Sequence, residues 1–421
     1  MAVNFVGTLG FSIVTPFLVV LVTKWGGNAV IYGLMAATYS FFQLFGAPIL
    51  GRISDRVGRR RVLLFSQFGT LLSWGIFLLA FALPDAPFWA ISGGFLGSFA
   101  ISLPLVVLFF ARALDGLTGG NVSVSNAYLS DITTEDHRSR DFGRMAVSTN
   151  LGFIIGPALA GLLGATLLGD ILPVMAAFAI SAAALALIQF GLADIRPKQI
   201  SEHLEEHSAC AVYGHEHKRG YALDCEKPDG LGAILRLPNM RALLSINFLV
   251  LLGFSFFYAG FPIHALVGLA WSTTQMGIYF AFLSLLMIIV QGPVLGWISQ
   301  KVADGVLMAF GGVFLAVGFA FLFSAQTPFI YASAAFIALG NGLMWPTFMS
   351  VISKSAGDRL QGAVQGYSGS IGAVASILGL IGGGLAYAQW GATVFPVAGA
   401  VILSAALLST TLGKSAMATS E

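Results

Sequence analysis

The chain has 421 residues, of which 57% are hydrophobic and only 10% charged, and its formal net charge is +2. An ordinary soluble domain carries roughly 25% charged residues, so this composition, with a mean hydropathy of +0.86, excludes a soluble enzyme or a nucleic-acid-binding module. It predicts an integral membrane protein whose first partner is the lipid bilayer.

A helix needs about 20 apolar residues to cross the hydrocarbon core, and twelve such windows follow one another along the chain. They are expected at 3–23, 29–50, 62–83, 101–125, 141–165, 172–192, 242–265, 274–297, 303–324, 329–352, 362–388 and 391–412, here called spans 1 to 12. The start, MAVNFVGTLG, has no basic n-region, so span 1 reads as a membrane span and not as a cleaved signal. Residues 84–100, PDAPFWAISGGFLGSFA, are too few for a span and are expected to form an extra hairpin or an interfacial helix.

One long polar stretch, 193–241, divides six spans from six. The expected organisation is an N-terminal six-helix bundle over 1–192, a cytoplasmic linker over 193–241 and a C-terminal bundle over 242–421. Arginine and lysine gather in the 2–3 loop (Arg52, Arg56, Arg59, Arg60, Arg61), the 4–5 loop (Arg138, Arg140, Arg144) and the linker, while Lys24 stands on the opposite side. By the positive-inside rule both termini and the linker are expected to be cytoplasmic, and the protein is expected to be a multi-pass component of the plasma (inner) membrane. The linker holds His203, His207, Cys210, His215, His217 and Cys225, but their spacing matches no standard zinc motif. It is read as a solvated connector, with no metal and no other cofactor expected.

APILGRISDRVG, from Ala47 to Gly58, aligns without gaps to GPVLGWISQKVA, from Gly292 to Ala303, with Pro48, Leu50, Gly51, Ile53, Ser54 and Val57 each matched by an identical residue. A duplication of this kind places a central cavity where two halves meet near the bilayer midplane, as in transporters built from parallel repeats. Gln43, Asn126, Asn247, Tyr258, Gln291, Asn341 and Trp345 are polar or aromatic residues inside spans, and each either lines such a cavity or bonds one helix to another.

Span 4 contains FFARALDGLTGG, with Arg112 and Asp115 three residues apart. Each charge at the centre of a membrane helix costs about 2.5–3.5 kcal/mol on insertion scales, so something must offset roughly 5–7 kcal/mol. At i and i+3 the two side chains share a helix face and can pair, and a structural ion pair is one reading. The other is that Asp115 binds and releases a proton while Arg112 answers the change in charge. Apart from Asp304, at the very start of span 9, no Asp, Glu, Lys or Arg falls within a span of the second half, so proton coupling is expected in the first half alone. In span 5, Gly152, Gly156, Ala160 and Gly164 make a small-residue stripe for close helix packing, and Pro157 removes a helical donor.

These motifs resemble those of the major facilitator superfamily. Gly51, Asp55, Arg56, Gly58, Arg59 and Arg60 match its signature loop after span 2, with Ile53 and Ser54 as departures; Arg112 and Gly116 match its span-4 motif, with Asp115 in place of the usual glutamine. Gly152, Gly156, Pro157 and Gly161 match the antiporter motif of span 5, except that Ala160 replaces a glycine. AYLSDITTEDHRSRDFGRM is similar to the tetracycline and multidrug proton-antiporter branch. The resemblance implies an all-α fold of twelve transmembrane helices in two pseudo-symmetric six-helix bundles, alternating access, and a 2–3 loop that latches the cytoplasmic face. It implies a monomeric secondary transporter, not an enzyme, that uses the proton gradient to export small apolar or weakly polar molecules. Uptake symport, facilitated diffusion of a metabolite and, less favoured, a non-transporting receptor remain open alternatives. Asn4 departs from the branch, which often carries an acidic residue in that motif, and is placed with the cavity residues.

Overall fold

The computed structural model describes residues 2–94, 96–119, 135–193 and 231–412, with short pieces at 124–125, 128–129, 132, 198–199 and 213–214. The fold is all-α apart from short two-stranded ribbons. Eight described helices are long and apolar enough to cross a membrane, and one of these, the 44-residue stretch Gly366–Ser409, covers both span 11 and span 12. The other three expected spans are each cut short: span 1 is two helices, Ala2–Ser12 and Val14–Lys24; span 4 is helical over Leu103–Thr118; and span 5 is the apolar end of Glu135–Gly164. Twelve spans are thereby accounted for. The break in span 1 follows from Pro16, which has no N–H to offer the Ser12 carbonyl.

Spans 10 and 11 were expected as separate helices, whereas helical hydrogen bonding continues from Thr327 to Trp390. Sixty-four residues in a straight helix would reach about 96 Å at 1.5 Å per residue, three times the hydrocarbon thickness, so the chain must turn within that run. Contacts locate the turn. Span 10 runs antiparallel to span 9 (Asp304–Phe321), with Gly318 beside Ile337 and Lys354 bonded to Asp304 at 2.9 Å. Span 11 runs parallel to span 7 (Met240–Ile263), with Ser368 at Asn247 and Tyr387 at His264. The direction therefore reverses between residues 354 and 368.

Within the first six spans, 1 packs on 5 and 6, 2 on 4, and 3 on 4 and 6. Adding six to each number gives pairs that also pack: 7 on 11 and 12, 8 on 10, and 9 on 10 and 12. The two sets of six meet through spans 2 and 11 and spans 5 and 8, a pair of contacts that the same addition exchanges.

Residues 84–100 settle the open choice as a β-hairpin. Strand β1, Pro87–Ile91, pairs antiparallel with β2, Phe99–Ser102, and β2 takes the first two residues of the expected span 4. Gly93, Gly94 and Gly97 have φ of +80°, +84° and +72° at its tip, a conformation that only glycine adopts without strain. Asn28 Nδ2 donates to the Leu96 carbonyl at 2.8 Å, the Ala100 N–H donates to Gly26 at 2.8 Å, and Ser102 Oγ donates to Trp25 at 2.9 Å. The hairpin is thus fixed to the 1–2 connection.

This hairpin end is where the two sets of six spans touch. A Cβ on Gly33 would lie 3.1 Å from the Gly384 Cα, and one on Gly161 would lie 3.2 Å from the Gly277 Cα. Thr274 Oγ1 donates to the Gly161 carbonyl at 2.8 Å, and Ala37, Ala259 and Leu380 form a small apolar cluster across the seam. Towards the linker end, Gly51, Gly292, Gly296 and Gly366 face open space. These contacts join the halves at the hairpin end, and further toward the linker end Ser284 Oγ of span 8 reaches the Phe153 carbonyl of span 5 at 3.5 Å.

Span 4 is held by glycines at close approach. A Cβ on Gly46 would fall on the Leu117 carbonyl, and one on Gly116 would fall on the Tyr39 carbonyl. Gly46→Ala is therefore expected to destabilise the protein by about 1–3 kcal/mol, the usual cost of overpacking, and to lower its thermal midpoint in detergent. Gly296→Ala, in open space, should leave that midpoint unchanged or slightly raised.

Candidate functional site: the charge pair of span 4

Arg112 and Asp115 are 5% and 7% exposed, so neither reaches water freely. Their ion pair is long, with Arg112 Nη1 to Asp115 Oδ2 at 3.5 Å, and the neighbouring spans supply the rest. From span 3, Thr70 Oγ1 donates to Asp115 Oδ1 at 3.0 Å. From span 2, the Tyr39 ring lies under the guanidinium, with Arg112 Cζ 4.6 Å from its centroid, a desolvated cation–π contact worth up to about 2 kcal/mol. Gln43 Nε2 donates to the Tyr39 hydroxyl at 2.9 Å and to the Gly119 carbonyl at 3.2 Å. Arg112 Nε, also buried, has no hydrogen-bond partner among the described residues. The site is therefore a clasp of three spans around one carboxylate and one cation with a donor to spare.

Tyr39 and Thr70 were not among the expected site residues. Gln43 reaches the site as a second-layer bond. The other expected cavity residues divide. Asn4 donates to Thr149 Oγ1 at 2.6 Å and to the Met145 carbonyl at 3.3 Å, joining span 1 to span 5. Asn247 donates to the Ser368 carbonyl at 2.8 Å and Oγ at 3.1 Å, joining span 7 to span 11. Asn341 approaches Met287 Sδ at 3.9 Å. These serve as helix-to-helix bonds. Trp345 stacks on Phe348, Tyr258 is exposed beside Phe254 and Phe257, and Gln291 sits in the π-helical turn Val290–Val294 of span 8. Asn126 lies outside the described residues.

The antiporter-motif residues of span 5 serve two neighbours. A Cβ on Gly152 would meet Thr8 of span 1, one on Gly156 would meet Ser12, and Ser12 Oγ donates to the Gly152 carbonyl at 2.7 Å. Pro157 and Gly161, rotated about 100° from Gly156 and Ala160, face Gly277 of span 8 in the other half. In the 2–3 loop, Gly58 has φ +100° and ends one helix while opening the next. Gly51 accepts from Ser54 Oγ, Arg59 donates to Ser54, and Arg60 donates to the Ile188 and Gln189 carbonyls at the end of span 6. These bonds lie within the first half; the side chains of Asp55 and Arg56, like most of the linker with its His and Cys residues, lie outside the described residues.

Removing one partner of a buried pair leaves a charge that nothing answers, a loss of about 3–5 kcal/mol. Arg112→Gln should accordingly lower the thermal midpoint sharply, and Arg112→Gln with Asp115→Asn should recover most of it. Equal losses in the single and double variants would contradict the pairing.

The family model described as Major Facilitator Superfamily matches residues 1–380 and, in a second match, 243–416. The tetracycline resistance protein of class E from Escherichia coli is 26% identical over 384 residues, covering 90% of this chain and 84% of the relative. Major facilitator superfamily domain-containing protein 10 from Mus musculus is 27% identical over 391 residues, covering 90% and 78%. Among solved structures, the human organic anion transporter MFSD10 superposes with a TM-score of 0.65 at 20% identity, covering 97% of both chains. An auto-inhibited peptide transporter of the POT family reaches 0.71 at 13% identity, covering 98% and 95%; at these identities the two structures speak for the fold alone. With the family model spanning nearly the whole sequence and the duplicated helix pairing beneath it, the chain belongs to the major facilitator superfamily of membrane transporters.

Proposed function

We propose that this protein is a proton-coupled efflux antiporter for small apolar or weakly polar compounds, working by alternating access. The observation that carries the reading is the buried clasp around Asp115. A carboxylate with one hydroxyl donor and a long ion pair can exchange its proton without dismantling a strong local bond, and Arg112 beside it compensates whichever charge is left. Substrate and proton then compete for one site: a donor group of the substrate binds the ionised Asp115 carboxylate, and protonation of Asp115 releases it. The similarity to tetracycline resistance proteins supports export as the direction. The excess of arginine and lysine at the linker end supports a cytoplasmic placement for both termini and the linker. Nothing in this scheme calls for a cofactor beyond the proton gradient, or for a second copy of the chain.

A tetracycline is the probe to use first. Cells expressing the protein should accumulate less of it than cells without, and a protonophore should remove the difference. Asp115→Asn should behave as the empty cell does while still reaching the membrane. Energy-dependent uptake instead of exclusion would replace this reading with symport, and exclusion that survives Asp115→Asn would remove Asp115 from the coupling step.

A further inference from the structure

Apart from Asp304 at the start of span 9, the second half has no Asp, Glu, Lys or Arg inside its spans, yet it holds one imidazole at the hairpin end. His264 opens the π-helical turn His264–Gly268 with which span 7 ends, and it is 7% exposed. Its Nδ1 lies 3.1 Å from the Tyr387 hydroxyl of span 11, and the Phe395 ring meets it edge-on at 5.3 Å from the start of span 12. Its Nε2 is buried with no partner among the described residues. Among the described residues Tyr387 is the one titratable group bonded to it; span 12 presents Phe395, and its own span presents Gly268. The turn is shaped to hold this pair. A Cβ on Gly268 would come within 2.7 Å of His264 Nδ1 and 3.3 Å of the Tyr387 hydroxyl, so glycine leaves the space that the ring and phenol use. π-Turns of this kind concentrate at functional positions.

We propose that His264 is a second proton-binding residue of the transporter, sited at the hairpin end, and that charging it favours opening of that end. The neutral ring can share one hydrogen with Tyr387 and leaves a single nitrogen without a partner among the described residues, buried between spans 7, 11 and 12. A second proton makes both nitrogens donors, and the Nε2–H then has nothing to donate to until water enters. Span 7, which carries the ring, and span 11, which carries Tyr387, are also the helices that close this end, with Ala259 and Leu380 packed on Ala37 and Gly384 on Gly33; water drawn to the charged ring between them loosens the seam, so protonation and opening promote each other. This inference rests on the alternating-access reading above. It adds a sensor of acidity on the face opposite the linker, in the half where no coupling residue was expected.

The test reads the seam directly and needs no transport. In a background with Cys210 and Cys225 replaced by serine, Leu380→Cys places a thiol in the cross-half cluster with Ala37 and Ala259. Phe88→Cys, on the exposed strand β1, supplies the reference for the pH dependence of the reagent itself. Labelling of Leu380→Cys by a membrane-impermeant maleimide, divided by that reference, should rise about fivefold or more from about pH 8 to about pH 5, the range over which histidine charges. His264→Gln and His264→Asn should each flatten the rise. Tyr387→Phe should keep it with a displaced midpoint, because the ring still titrates. The proposal is overturned if wild type shows no rise, or if both His264 variants rise as wild type does. Failure of the antiporter reading is separate: it would appear as drug exclusion indifferent to a protonophore, with the labelling profile unaffected.

Discussion

Arg112 and Asp115 sit where water cannot solvate them, and much of the first half is arranged around that constraint. Two charges in a lipid-embedded bundle must find in protein atoms what they lose in water. Thr70 and Tyr39 provide it from two different helices. Both can reach span 4 only because glycines at 46, 69 and 116 bring the backbones together; a Cβ on Gly69, for example, would meet the Thr118 side chain. Close approach is therefore a requirement of the charge pair as well as of helix packing.

Span 2 connects this site to the seam. Its Gly33 lies against Gly384 of the other half, its Tyr32 hydroxyl reaches the Tyr258 carbonyl at 3.5 Å, and two turns further on its Tyr39 carries Arg112. In the proposed coupling, a change of charge at Asp115 alters what Arg112 asks of Tyr39, and span 2 is the element that carries the change to the seam. Span 5 plays the corresponding part on the other flank, with Gly152 and Gly156 seated on span 1 and Gly161 on span 8. Each seam helix thus has one face committed to its own half and one to the partner half, which suits a pair of bundles that rock against each other.

The sequence announced the spans, the duplication and the charged pair, because apolar length, a gapless repeat and an isolated Arg–Asp spacing are properties of neighbouring residues. Other features depended on what lies across space. Thr70 and Tyr39 carried no signal, since a hydroxyl in an apolar helix often turns back on its own carbonyls, as Thr38 does on Leu34 and Thr118 on Leu114. Asn4 and Asn247 were polar inside spans, as a cavity residue would be, but each had an acceptor on the next helix. The β-hairpin was half legible in the glycines at 93, 94 and 97. His264 escaped because a neutral imidazole does not enter a count of charges, and its unmet nitrogen is visible only once Tyr387 and Phe395 are placed around it.

The central claim is that Asp115 exchanges a proton when substrate binds. Purified protein in weakly buffered detergent, with a pH-sensitive dye, reports this on addition of a tetracycline. Wild type should release a proton on binding, and Asp115→Asn should bind without release. Undiminished release from Asp115→Asn would contradict the account.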